Sequence, residues 1–390
     1  MVFLSTEIIA LFAKGILLPN PFFMPRVIFI NKSSVFYNEL KNEVEKYFSQ
    51  KHLKKTGNWK LFLKTGILIP SAIIIYLSLM IFHLPIIVII LMSALLGCVL
   101  TSIGFNVMHD ACHESYSSRK WANNVLGLTM NALGGNAFIW KQKHNVIHHT
   151  YTNIEGVDDD IAQSKLLRQC SSQKWMPVHR FQHVYLLLIY SLAIFAWVLG
   201  RDYVRYFSKK IHTTPLQKMS FNDHFIFWIS KLLYLVFYMV IPIFFMGWVP
   251  WLFGFLTMGL VMGVALSIVF QLAHSVEGPE FIVADVEPKK IESEWAVHQV
   301  KTTANFAMNN KVISWLVGGL NFQIEHHLFP RVSHVHYPAL SKIVRKLCQQ
   351  YDLPYHNFPS MWSAIVSHIR FMKQMGRKPT LIVKRALVSI

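Results

Sequence analysis

Two stretches of the chain, Ile86 to Met108 and Trp251 to Ala273, run for 23 residues each without one charged side chain. At ~1.5 Å of rise per residue, a helix of that length crosses a hydrocarbon core. Leu61 to Phe82 and Phe225 to Met246 are interrupted only by Lys64 and Lys231, each close enough to an end of its segment to snorkel to the membrane surface. The turns His83-Leu84-Pro85 and Gly247-Trp248-Val249-Pro250 join each interrupted segment to a charge-free neighbour. The pattern predicts two transmembrane hairpins, with spans at about 61–82, 86–108, 225–246 and 251–273.

Ahead of the first hairpin, Phe36, Leu40, Val44 and Tyr47 recur at three- and four-residue spacing, with Glu39, Lys41, Glu43 and Lys46 between them. This is the pattern of an amphipathic helix capped by Ser34, with two open placements: on the membrane surface or against a cytoplasmic domain. Met1 to Phe23 is apolar but broken by Glu7, Lys14, Pro19 and Pro21, and no small-residue cleavage site follows, so it does not read as a signal peptide. Met24 is an alternative start. The organisation expected is an N-terminal segment over 1–60, a membrane-embedded domain over 61–347 and a C-terminal tail over 348–390.

Composition agrees with a membrane location: 53% of residues are hydrophobic, only 15% are charged, and the mean hydropathy is +0.36. Lys and Arg are absent from both hairpin turns but frequent in the first 60 residues, in 114–224 and in the C-terminal third. The positive-inside rule puts those three regions in the cytoplasm. A net charge of +18 suits attraction to anionic lipid or to an acidic protein partner. No basic run is interleaved with a nucleic-acid module, so nucleic acid is not an expected partner. Cys98, Cys112, Cys170 and Cys348 form no CxxC pair, and neither a zinc ribbon nor a disulfide framework is indicated.

Candidate chemistry lies in the histidines. WKQKHNVIHHT, residues 140 to 150, places His144 and His148 four apart, one helical turn on one face, with His149 beside them. His109 and His113 follow the second span, His274 follows the fourth, and FQIEHHLFP adds His326 and His327 together with Gln323. These eight imidazoles, out of 19 histidines in the chain, fall in four short stretches on one side of the membrane. A structural zinc takes four ligands and a catalytic zinc three. Eight therefore match two metals with about four nitrogen ligands each. Imidazole suits zinc, copper, iron and nickel alike, so the ligand type does not choose among them. The fold class expected is an all-α integral membrane protein, two transmembrane helical hairpins with a cytoplasmic helical domain holding a di-metal site. Val184 to Gly200 is hydrophobic enough to cross as well, but an extra crossing would turn the second hairpin over and keep the ligands apart. It is expected as an interfacial or half-inserted helix.

HDACH, HNVIHH and QIEHH, in this order and between these hairpins, resemble the three histidine boxes of the membrane fatty acid desaturases, and the likeness runs from about Lys55 to about Leu347. The third box opens with Gln323 where many members carry histidine, a pattern similar to the front-end desaturases, including linoleoyl-CoA desaturase-like bacterial proteins. The resemblance implies a non-haem di-iron centre that uses O2 and two electrons to remove two hydrogens from an acyl chain carried as acyl-CoA or acyl-lipid. Residue by residue, it implies His109, His113, His144, His148, His149, His274, His326 and His327 as iron ligands, with Gln323 as a weak oxygen ligand. Metal-bound imidazoles usually donate their second N–H to a carboxylate or carbonyl. Asp110, Asn153, Asp158, Asp160 and Glu325 lie near the boxes and are candidates for that support. His298, in EWAVHQVKTTANFA, also matches a family pattern and is expected as a supporting residue or pocket wall. Other histidines, such as His52, His83 and His356, are assigned to surface or packing roles.

Neighbouring methylenes differ little in chemistry, so the site of reaction must follow from the length of chain bound between headgroup and metal. The spans should enclose a narrow apolar tunnel, lined by some of the aromatics between Phe225 and Phe255. Two alternatives share features with this reading: a di-iron hydroxylase or ketolase, and a metal-binding transporter or sensor without turnover. Many front-end relatives carry a fused cytochrome b5 domain, but its HPGG motif is absent from this sequence, as is a GxGxxG nucleotide fold. Electrons are then expected from a separate carrier, such as a ferredoxin or free cytochrome b5, steered to the basic face. Such steering is screened over ~8 Å at physiological salt. Turnover with limiting donor should fall as ionic strength rises, at constant metal content. A rate indifferent to salt, or turnover with NADH and no carrier, would count against this expectation.

Overall fold

The computed structural model describes residues 27–29, 34–161, 164–283, 289–291 and 293–379. The readings of Met1–Phe23 and Met24 fall outside the described residues. Among the described residues, five helices are long and apolar enough to cross a membrane. Helix α1 (Val35–Gln50) precedes the first two, α2 (Trp59–Ile81) and α3 (Ile86–Cys112). Then come α4 (Ala137–Lys141), α5 (Pro177–Ser208), α6 (Phe221–Met246) and α7 (Trp248–His274). The remaining longer elements are α8 (Trp295–Thr302), α9 (Gln323–Leu328), α10 (Tyr337–Gln350) and α11 (Met361–Met375). The four expected spans lie within α2, α3, α6 and α7, and Val184–Gly200 lies within α5.

Helix α7 packs between α3 and α5, and small residues set the spacing. A Cβ on Gly97 would sit 2.7 Å from the Met258 carbonyl oxygen, and one on Gly263 would sit 2.3 Å from that of Ser191. The backbones therefore approach too closely for any larger residue. The resulting core holds Leu61, Leu68, Leu96, Leu100, Met258 and Met262.

Helix α1 takes the second of its two open placements. Phe36, Leu40 and Val44 are buried against Val300, Leu340 and Val344, so the helix packs on the domain that carries the third histidine box. The last apolar position of its stripe is Phe48 rather than Tyr47, which is only partly buried. Ser34 stands at the cap position with φ 31° and makes no side-chain cap bond. The capping expected of it is therefore corrected.

A further expectation is corrected. Lys64 and Lys231 do not snorkel; both are buried. Lys64 Nζ donates to Asn106 Oδ1 at 2.8 Å and lies 3.1 Å from His334 Nε2, while Lys231 Nζ reaches Asp202 Oδ2 at 2.9 Å. An acceptor inside the bundle satisfies each ammonium without the stretch to the interface. The chain is mostly helical, in keeping with the all-α class expected. Strand pairs of two or three residues join Val27–Phe29 with Lys289–Ile291, Ile154–Glu155 with Ile282–Val283 and Asn305–Phe306 with Asn357–Phe358, while Lys210–Ile211 and Thr214–Pro215 form a local hairpin. Three of the pairs bind the box-bearing loops to segments far away in sequence.

Candidate metal centre

The histidine stretches meet because helix ends deliver them to one place. His109 and His113 sit at the end of α3, past a π-helical turn over Gly104–Met108. His274 ends α7, and His326 and His327 lie in α9. The second box runs through a π-helical stretch, Gln142–His148, where the His149 N–H bonds back to the His144 carbonyl. This wider winding alters the expected geometry. His144 and His148 remain neighbours, with rings stacked 5.3 Å apart; each joins a different all-histidine group, and a third grouping brings the two together with Asp160.

Nitrogens of His109, His113, His144 and His326 lie within 4.8 Å of one another, and so do those of His148, His274 and His327. His149 stands between the groups, its Nε2 3.2 Å from His144 Nε2 and its ring 4.5 Å from that of His326 and 4.4 Å from that of His327. All eight are buried. The Nε2 atoms of His113, His148, His274, His326 and His327 have no hydrogen-bond partner. Buried polar atoms are rarely left so, and this many aimed inward from an all-imidazole set fit transition-metal ions. The expected ligands thus cluster in groups that could hold metal; Gln323 is buried one turn ahead of His326 and His327.

The other ring nitrogens fix the orientation of several imidazoles. His148 Nδ1 lies 3.1 Å from Asp158 Oδ2 and 3.4 Å from Asp160, which also pairs with Lys143. His326 Nδ1 faces the Tyr337 hydroxyl at 3.1 Å, and His327 Nδ1 lies 2.9 Å from Gln299 Oε1 and 3.2 Å from Thr152 Oγ1. His274 Nδ1 lies 3.4 Å from the Thr302 carbonyl. Gln299, Thr152, Tyr337 and Thr302 were not singled out by sequence reasoning, because ordinary polar residues away from the boxes carry no spacing signal.

Burial, reinforced by neighbouring imidazoles, holds His144, His149, His326 and His327 well below the usual histidine range. Their lone pairs are therefore free at neutral pH. His148 differs: burial pulls its pKa down, but the Asp158 and Asp160 carboxylates more than offset that and leave it raised.

Of the supporting candidates, Asp158 and Asp160 hold a box imidazole, whereas the others act one step removed. Asp110 accepts from Ser333 Oγ at 2.6 Å and lies 3.0 Å from His334 Nδ1, joining the first box to the loop after the third. The Asn153 amide donates to the carbonyls of His274 and Thr302, both at 3.2 Å, and so pins backbone rather than an imidazole. His298 Nε2 bonds the Thr152 carbonyl at 2.9 Å. Glu325 is held by Asn305 and Tyr355, both at 2.8 Å, and burial pushes its pKa up to about 7.

An apolar cavity opens beside the first group, lined by Gly104, Met108, His109, Trp140 and Trp197 among others. A second shares Leu133, Ile194, Val198 and Met262 with it, and a third shares Tyr238, Phe255 and Met258 with the second. Tyr234, Tyr238, Trp251 and Phe255 line these spaces, whereas Phe225, Phe237, Phe244 and Phe253 are exposed on the outside of the bundle.

Comparison with known proteins agrees with the geometry. The fatty acid desaturase family model matches residues 35–359. The chain is 34% identical to an sn-1 linoleoyl-lipid 6-desaturase of Synechocystis sp., over 90% of this chain and 98% of that protein. It is 32% identical to an sn-1 linoleoyl-lipid 6-desaturase of Arthrospira platensis, over 89% and 94%. With an acyl-lipid (8-3)-desaturase of Physcomitrium patens the identity is 30%, over 87% and 72%.

The purified chain should carry about two metal ions, as its ligand count suggests. His148→Ala and His327→Ala should each lower metal content and abolish turnover while leaving membrane insertion intact. Full metal content and activity in either variant would remove these residues from the ligand set.

Proposed function

The chain belongs to the fatty acid desaturase family, and on that premise we propose that it binds two irons through His109, His113, His144, His148, His149, His274, His326 and His327, with Gln323 as a weak further ligand, and desaturates a lipid-linked acyl chain near its carboxyl end. The protein is a multi-pass membrane oxidoreductase. The observation that carries the proposal is the set of orphaned imidazole nitrogens converging beside a run of apolar cavities. Iron held there would supply the O2-derived oxidising power that an unactivated methylene demands. O2 takes four electrons to become two waters, two from the acyl chain and two from a separate carrier. The protein's own part is to hold and exclude. Nδ1 partners keep the imidazoles oriented, apolar walls keep water from the reacting carbons, and cavity length sets which carbons react.

Ser93 lines the far cavity and His109 the near one, 16 residues apart along α3, or ~24 Å at helical rise. Such a depth favours a short segment between headgroup and metals and a long one beyond them, the arrangement a front-end reaction needs. The relatives named for 6- and (8-3)-desaturation act on acyl-lipids, which supports that form of substrate here.

The metal centre is assigned to the cytoplasmic side. His109 and His274 end the second helix of each hairpin, so their meeting requires both hairpins to open to one face. That leaves α5 uncrossed. Its ends support this reading: Gln182 bonds the Met372 carbonyl of α11 at 2.7 Å, and Arg205 pairs with Asp159 at 2.6 Å, next to the carboxylate that holds His148. Labelling of single cysteines introduced between Arg201 and Lys218 should place them inside the cell; external labelling would disprove the arrangement.

Mass spectrometry of derivatised fatty acids from a heterologous membrane should find the new double bond on the carboxyl side of an existing one. A hydroxyl in its place would favour the hydroxylase alternative. Met258→Trp, at the passage between the second and third cavities, should shift the substrates used toward shorter chains.

A further inference from the structure

Lys231, Asp202 and Trp197 form a linked set at the wall of the first cavity. The Lys231 and Asp202 side chains are only 4% and 1% exposed, and the ammonium also donates to the Gly134 carbonyl at 2.6 Å. Rings of Tyr203 and Phe227 lie 5.3 and 5.6 Å from it. Replacing a buried ion pair by apolar residues is often neutral or stabilising, so stability alone is a weak reason for it. The second oxygen of the same carboxylate has another task. Asp202 Oδ1 accepts from Trp197 Nε1 at 2.9 Å. The indole packs with Met108, Met130 and Trp140 and walls the cavity beside His109, and Trp140 stacks on His144 at 4.3 Å. The ion pair thus holds one ring in one orientation where a chain in the cavity would pass the metals.

We propose that Trp197 is a specificity-determining residue that selects the methylene presented to the metal centre, and that Asp202 and Lys231 are positioning residues that lock its indole. The proposal rests on the reading that the acyl chain occupies this cavity. Because adjacent methylenes are nearly equivalent, a wall free to turn lets the chain slip by one carbon, whereas a locked wall does not.

The test compares the parent enzyme with Trp197→Phe, with Asp202→Leu plus Lys231→Met, and with Asp202→Asn plus Lys231→Met. Asparagine keeps an acceptor for the Trp197 N–H without either charge. Double-bond position is measured by mass spectrometry of derivatised fatty acids from membranes expressing each form. The parent should give one position. Trp197→Phe and the Leu/Met pair should send about a tenth or more of the product to a neighbouring position, the scale expected when one hydrogen bond is lost. The Asn/Met pair should return to one position. Poor folding lowers every product together and leaves their ratio unchanged; if the Leu/Met pair does not accumulate, Trp197→Phe decides alone. One unshifted position in Trp197→Phe, or equal spread in the two double variants, overturns the proposal. Should Met258→Trp leave the chain-length range untouched, the cavity reading itself fails; should it shorten the range while Trp197→Phe keeps one position, only the present proposal fails.

Discussion

Buried imidazoles whose free nitrogens face one another are the constraint on which the rest of the molecule depends. Each buried polar atom without a partner costs about 1–3 kcal/mol. The five orphaned Nε2 atoms together therefore weigh roughly as much as the whole stability of a typical domain. Coordination of metal, as proposed, would remove that penalty and make the same atoms cross-links between helices. Without metal the scaffold holds them by packing, with close helix contacts at Gly97 and Gly263, by loops stitched through strand pairs, and by hydrogen bonds to their Nδ1 atoms.

The two groups of imidazoles are not equivalent in their surroundings. His148, in the three-histidine group, has two carboxylates beside its Nδ1, while His326, in the four-histidine group, faces a neutral hydroxyl. A carboxylate partner makes an imidazole a more basic ligand. The histidine cluster is therefore electronically lopsided, although its imidazoles come from one residue type.

The hairpins and the histidine boxes were legible because each has a period or a spacing: uncharged runs of helix-spanning length, and histidines clustered past the ends of such runs. What was not legible depended on partners distant in sequence. Lys231 looks like a snorkelling residue until Asp202, 29 residues earlier, is seen to meet it. Asp110 sits inside a box yet serves Ser333 and His334, which lie more than 220 residues later in the chain. The second box winds through a π-helical stretch, which leaves no mark in a hydrophobic pattern. Gln299 and Tyr337 touch the centre through ordinary hydrogen bonds and could not be told from their neighbours.

The four-histidine group draws on His109, His113 and His144 early in the chain and on His326 much later. At ~5–20 residues per second, a ribosome takes roughly 10–40 s to travel from His144 to His326. For that interval the four-histidine group is one member short, and the His148 group, which includes His274 and His327, is still less complete. On the proposed ligand assignment, metal loading would be tied to the end of synthesis. A ribosome that stalls before α9 leaves a product without His326 and His327, one member of each group, so on that assignment metal content itself would report whether the polypeptide was finished.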